Sequence, residues 1–69
     1  MKNLKELEGK KVKFILNTGR IYTGNVLEVE IRGYSENGSL VFITIKDKYN
    51  FKVGFLNSEI KSYEEVYND

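Results

Sequence analysis

Lys11-Val12-Lys13-Phe14-Ile15-Leu16-Asn17-Thr18-Gly19-Arg20-Ile21-Tyr22-Thr23-Gly24-Asn25-Val26 is the stretch on which the fold turns. Val12, Phe14 and Leu16 alternate with Lys11 and Lys13, the period-two pattern of a strand with one covered face. Asn17-Thr18-Gly19 then breaks the run, and a glycine in a short break between two β-type runs signals a hairpin. From Arg20 the β-type pattern resumes and continues to Ile31, too long for an ordinary strand of five or six residues to stay straight. Ile21, Thr23, Asn25, Leu27, Val29 and Ile31 share one side of this segment, and Tyr22, Val26, Glu28 and Glu30 share the other. Gly24 is the expected place for a bend or bulge.

On the N-terminal side, Asn3 with Glu6 fits a capping box for a short helix carrying Leu4 and Leu7, and Gly9 fits its C-cap. On the C-terminal side, residues 32–39 read as a long polar loop with an Asn37-Gly38 turn. Residues 40–46 form the most β-prone run, with Val41, Ile43 and Ile45 on one face and Leu40, Phe42 and Thr44 on the other. Asp47-Lys48-Tyr49-Asn50 fits a hairpin loop in which Asn50 takes positive φ and Asp47 serves the turn. Phe51, Val53 and Phe55 alternate through the next strand, and residues 59–63 make a last short strand. The expected core is Val12, Phe14, Val41, Ile43, Ile45, Phe51 and Phe55. Five short, strongly curved antiparallel strands of this size close most readily as a small barrel.

Composition limits the chemistry. The 69 residues contain no Cys, His, Trp or Pro, so neither a disulfide nor a zinc site is available as a staple, and thiol, imidazole and triad catalysis are excluded. No metal and no cofactor is predicted. Below about 70–80 residues one core rarely supplies more than roughly 3–5 kcal/mol, which leaves self-association as the remaining staple. Eleven basic against ten acidic residues give a net charge of +1, unevenly spread. Residues 1–13 hold five lysines against Glu6 and Glu8, a net of +3, while residues 59–69 hold Glu59, Glu64, Glu65 and Asp69 against Lys61, a net of −3. These ends are able to attract one another within a chain or between neighbours. No apolar run is long enough to span a bilayer, and the first residues lack the pattern of a secretory signal, so a cytoplasmic chain without membrane contact is expected.

The order of elements resembles the Sm-like family. A helix, Gly9, the Val12–Leu16 strand, the Gly19-Arg20 turn and the Gly24-Asn25-Val26 segment are similar to that family's opening. Phe55-Leu56-Asn57-Ser58-Glu59-Ile60 is similar to its two closing strands and the tight turn between them. The resemblance implies a mainly β fold: a short N-terminal helix and a five-stranded, strongly bent antiparallel SH3-like or Sm-like barrel in a single domain, 1–69. It also implies a cyclic homo-oligomer in which strand 50–55 of one subunit pairs with strand 59–63 of the next, and binding of RNA or single-stranded DNA. The family's site residues do not carry over. Glu28 and Glu30 with the 32–39 insertion replace its Asp-containing loop, and Leu56-Asn57 replace its Arg-Gly.

Candidate contacts to nucleic acid are therefore Arg32, Tyr34 and Asn37 in the 32–39 segment, Asn57 in the closing turn, and Lys10 and Lys11 at the first strand. Candidate subunit contacts are Phe51, Val53, Phe55 and Ile60, with Leu40 and Phe42 as an apolar stripe that either a partner or Leu4 and Leu7 cover. Glu28 and Glu30 form a carboxylate pair in name only, because a barrel this small lacks an apolar pocket to raise a pKa. The leading expectation is a non-catalytic, ring-forming nucleic-acid module. The alternative is the same barrel used for protein interaction, with no nucleic acid bound.

Overall fold

The computed structural model describes residues 4–36 and 38–67; Asn3, the expected helix cap, and Asn37 lie outside the described residues. The strands are β1 (Lys11–Leu16), β2 (Ile21–Ser35), β3 (Gly38–Lys46), β4 (Lys52–Leu56) and β5 (Ile60–Glu65). They form one antiparallel sheet in the order β4-β3-β2-β1-β5. The mainly β expectation holds, with a four-residue 3-10 turn, Leu4–Leu7, in place of a helix. Gly9 ends that turn at φ 84°. The ladder is not closed, because β4 and β5 remain its two outer strands.

β1 alternates as its sequence predicts, with Val12, Phe14 and Leu16 buried. The following turn uses Gly19 at φ 93°. In β2 the face changes where the alternation gives no sign of it. Tyr22, Gly24 and Val26 face inward, a bulge at Leu27 takes up one residue, and Val29 is the next buried position. Leu27, expected on the side of Val29, is consequently exposed; Ile31 keeps to the side of Val29 and is exposed further along the strand. Gly24 has a different task from the expected bend. A Cβ there would lie 2.4 Å from the carbonyl oxygen of Lys46, so the missing side chain lets β3 cross closely.

The segment 32–39 is not a polar loop. β2 and β3 stay paired up to Ser35 and Gly38, with a second bulge between Ile31 and Gly33, so the insertion lengthens a hairpin. Gly38 at φ 114° accommodates the tight reversal.

The core comprises Leu7, Val12, Phe14, Leu16, Val26, Val29, Val41, Ile43, Ile45 and Phe55. Phe55 on β4 meets Phe14 on β1 edge to face at 5.0 Å and stacks near Tyr22 at 6.1 Å, while Tyr63 on β5 lies 6.0 Å from Phe14. The sheet is thus curled enough for both outer strands to reach one aromatic cluster. Phe51 departs from expectation at 69% exposure, because the β3–β4 hairpin has run past the core by that point.

One stretch of open edge is blocked by side chains. Beyond the end of β1, the N–H of Val29 donates to Glu8 Oε2 at 2.9 Å, and Lys5 Nζ donates to the Val29 carbonyl at 3.0 Å. Lys5 and Glu8 also pair with each other at 3.1 Å, so a charged pair stands in for the missing strand.

Candidate functional site

The predicted contact residues do not converge. Arg32 Nε pairs with Glu30 Oε1 at 2.6 Å, and its guanidinium lies 4.2 Å over the ring of Phe42. That ring also lies on Gly54, where a Cβ would come within 2.3 Å of it. Phe42 is thus covered by Arg32 and by the bare backbone of β4, and neither Leu4 nor a partner is needed for that. Tyr34, near the tip of the β2–β3 hairpin, is 81% exposed. Lys11 pairs in register with Asn25, seven residues before Arg32 along β2. At about 3.3 Å per residue this separates the lysines of β1 from Arg32 by up to roughly 23 Å.

Asn57, a candidate nucleic-acid contact, has a structural assignment. It sits in the 3-10 turn Asn57–Glu59, outside the positive-φ region. Its Oδ1 accepts from the N–H of Val41 at 3.1 Å and its Nδ2 donates to the Ser39 carbonyl at 2.9 Å, tying the closing turn to β3. Lys10 Nζ lies 3.8 Å from Glu65 Oε1, so the basic start and the acidic end meet within one chain, where β1 pairs with β5. Among the candidate interface residues, Phe55 belongs to the core and Val53 and Ile60 pack partly against it. Leu40 is 36% exposed. What β4 and β5 offer outward is mainly backbone.

The ladder fixes which backbone groups these are. Asp47 N–H donates to the Phe51 carbonyl and Val53 lies opposite Ile45, so Val53 and Phe55 bond to β3 while Lys52 and Gly54 turn outward. On the other side, Val66 N–H donates to the Lys11 carbonyl, so Ser62 and Glu64 bond to β1 while Tyr63 and Glu65 turn outward.

A second feature, not singled out as a site by the sequence reading, lies at the β3–β4 hairpin. The hairpin leans over the start of β2 beside a cleft of about 570 Å³, lined among others by Lys11, a predicted contact, and by Thr23, Asn25, Lys46, Lys48 and Tyr49. Lys48 Nζ is 5.1 Å from the centre of the Tyr49 ring, which is 67% exposed. Asp47, the acidic residue among the cleft's lining, spends its Oδ1 on the N–H groups of Tyr49 and Phe51, both at 2.9 Å. Asn50 closes the turn at φ 68°. The available signal was lysines at 46, 48 and 52 interleaved with Tyr49 and Phe51 within seven residues.

Among the described residues no group of three His, Cys, Asp or Glu is placed to hold a metal, and no helix is long and apolar enough to cross a membrane. No family model, no curated protein and no solved structure matches the chain.

Proposed function

We propose that the chain is a non-catalytic, Sm-like small-barrel module that assembles with copies of itself through β4 and β5 and binds RNA or single-stranded DNA. The observation carrying this reading is that β4 and β5 are the two outer strands of a strongly curled sheet, each with backbone donors and acceptors turned outward. Such edges invite pairing with another chain. Joining β4 of one copy to β5 of the next is a head-to-tail contact, which closes to a ring only at a suitable rotation. Charge favours it, since Lys52 flanks one edge and Glu64 and Glu65 the other. A second reading, a protein-interaction module, draws on Leu27, Ile31, Tyr34 and Leu40, which are exposed along the β2–β3 hairpin.

Native mass by light scattering at tens of micromolar, with and without nuclease and beside the 260/280 nm absorbance ratio, tests the assembly. The expected result is a multiple of the 8.0 kDa chain. Lys52→Pro removes an outward donor from β4 and should yield monomer, while Lys52→Ala keeps the assembly. Proline at Ile60 would be less informative, because its N–H is already bonded to the Asn57 carbonyl. A monomeric wild type overturns assembly and puts the interaction module ahead.

A further inference from the structure

We propose that the cleft between the β3–β4 hairpin and the start of β2 is where a single-stranded nucleic acid is held, with Lys46 and Lys48 on its phosphates and a base stacked on Tyr49. This rests on the nucleic-acid reading above and gives that reading a location, away from the Arg32–Tyr34 end and beside Lys11, another of the contacts expected from sequence.

Four features converge on this occupant. The first is size: the cleft holds about 570 Å³, within the range of roughly 300–1,000 Å³ typical of small-ligand clefts, into which one nucleotide fits. The second is charge. Lys11, Lys46 and Lys48 line the cleft against one carboxylate, that of Asp47, whose Oδ1 accepts from two backbone N–H groups of its own turn. Glu64 pairs in register with Lys13 on β1 and is not part of the lining. The third is the exposed ring of Tyr49, carried by a tight turn whose backbone is held by the Asp47 bonds and the positive φ of Asn50, with Lys48 Nζ 5.1 Å from the ring centre. An exposed aromatic on such a turn presents a stacking face to any base. The fourth is that Thr23 and Asn25 add uncharged donors and acceptors to the floor. Lysines, one exposed aromatic and amide or hydroxyl groups together suit a phosphodiester strand better than an acidic peptide, which has no flat face to stack.

Gly24 lets the Lys46 carbonyl approach β2 closely, and both residues line the cleft.

Fluorescence anisotropy with labelled oligo(dT) and oligo(rU), titrated across a salt series, tests the proposal on the wild-type chain. The variants are Tyr49→Ala, the double variant Lys46→Gln with Lys48→Gln, and, at the other end, Arg32→Gln with Tyr34→Ala. Thermal melts verify that each variant is folded. Loss of a stacked base should weaken binding roughly 5- to 150-fold in Tyr49→Ala. Loss of two phosphate contacts should flatten the slope of log K against log salt by about 1.4. The Arg32/Tyr34 variant should bind as the wild type does. Binding that survives in the cleft variants and falls in the Arg32/Tyr34 variant overturns the cleft and leaves the nucleic-acid reading standing. A wild type that binds neither oligonucleotide overturns both.

Discussion

Replacing Gly24 by alanine is the sharpest test of how the long second strand is accommodated. An added Cβ would lie 2.4 Å from the Lys46 carbonyl oxygen, 2.8 Å from its carbonyl carbon and 3.2 Å from Asp47 Cα. All three neighbours are backbone, so no side chain is able to swing away. Ordinary contact begins near 3.4 Å, so the hairpin must retreat by about 1 Å in an interior packed like a crystal. The retreat loosens the pairing of Asn25 with Lys46 and the floor of the cleft together. Overpacking of this kind costs about 1–3 kcal/mol. For a domain of this length a loss of about 2 kcal/mol lowers Tm by roughly 8–16 °C. Gly33→Ala is the control, since a Cβ there meets nothing within 4 Å and the backbone is outside the positive-φ region. It should leave stability unchanged or raise it by up to about 1 kcal/mol. Urea melts followed by circular dichroism, with thermal melts beside them, measure both. Equal midpoints for Gly24→Ala and the wild type would refute the close crossing and the reason given for this glycine.

Asn57→Ala should lower the urea midpoint by an amount equal to about 1–3 kcal/mol, because the N–H of buried Val41 loses its partner. Phe14→Ala, at the centre of the aromatic cluster, should cost about 3–5 kcal/mol, comparable to the whole stability of so small a domain. Its circular-dichroism spectrum should therefore be that of an unfolded chain at 25 °C. The Glu8 carboxyl is held below its ordinary value of 4.5 by the Val29 N–H first and by Lys5 second. Its contribution is therefore present above the unfolded-state pKa and is lost as pH falls through the lower folded value. Melting points between pH 7 and pH 3 should show the wild type losing its advantage over Glu8→Gln only at the acid end, and a gap that stays constant would refute the assignment.

Much of the fold is legible from β1 and its turn. Three apolar residues at period two and a glycine in the break that follows lead to a hairpin, and β1 and β2 do pair as one. What misleads is the run from Leu27 to Ile31. It alternates perfectly, so a one-residue bulge at Leu27 exchanges its faces without leaving a mark in the pattern. Residues 32–39 mislead for the opposite reason, since their polarity suits a loop, yet an extended hairpin arm exposed on both sides is polar as well. The structural part of Asn57 is hidden for another reason: its side chain bonds to β3 across 16 and 18 residues, partners that no local pattern reveals. Lys48 and Tyr49 read only as turn residues, because a cleft exists once the hairpin has folded back over β2.

The treatment of the sheet's edges carries the functional argument furthest. Where β2 outruns β1, Lys5 and Glu8 occupy the backbone groups of Val29, and at the end of β4 the N–H of Leu56 donates to Glu59 Oε2 at 2.8 Å. Both are side chains spent on blocking an edge. By contrast, Lys52 and Gly54 on β4 and Tyr63 and Glu65 on β5 turn their backbone groups outward in strands long enough to pair. A small core with no cysteine or histidine to staple it has reason to close such edges with more side chains if they serve nothing. Edge pairing with another copy would satisfy them and add the stabilisation that a 69-residue core lacks. It would also repeat the hairpin cleft on every subunit, so that one flexible strand could engage several clefts at once and bind more tightly than any single cleft allows.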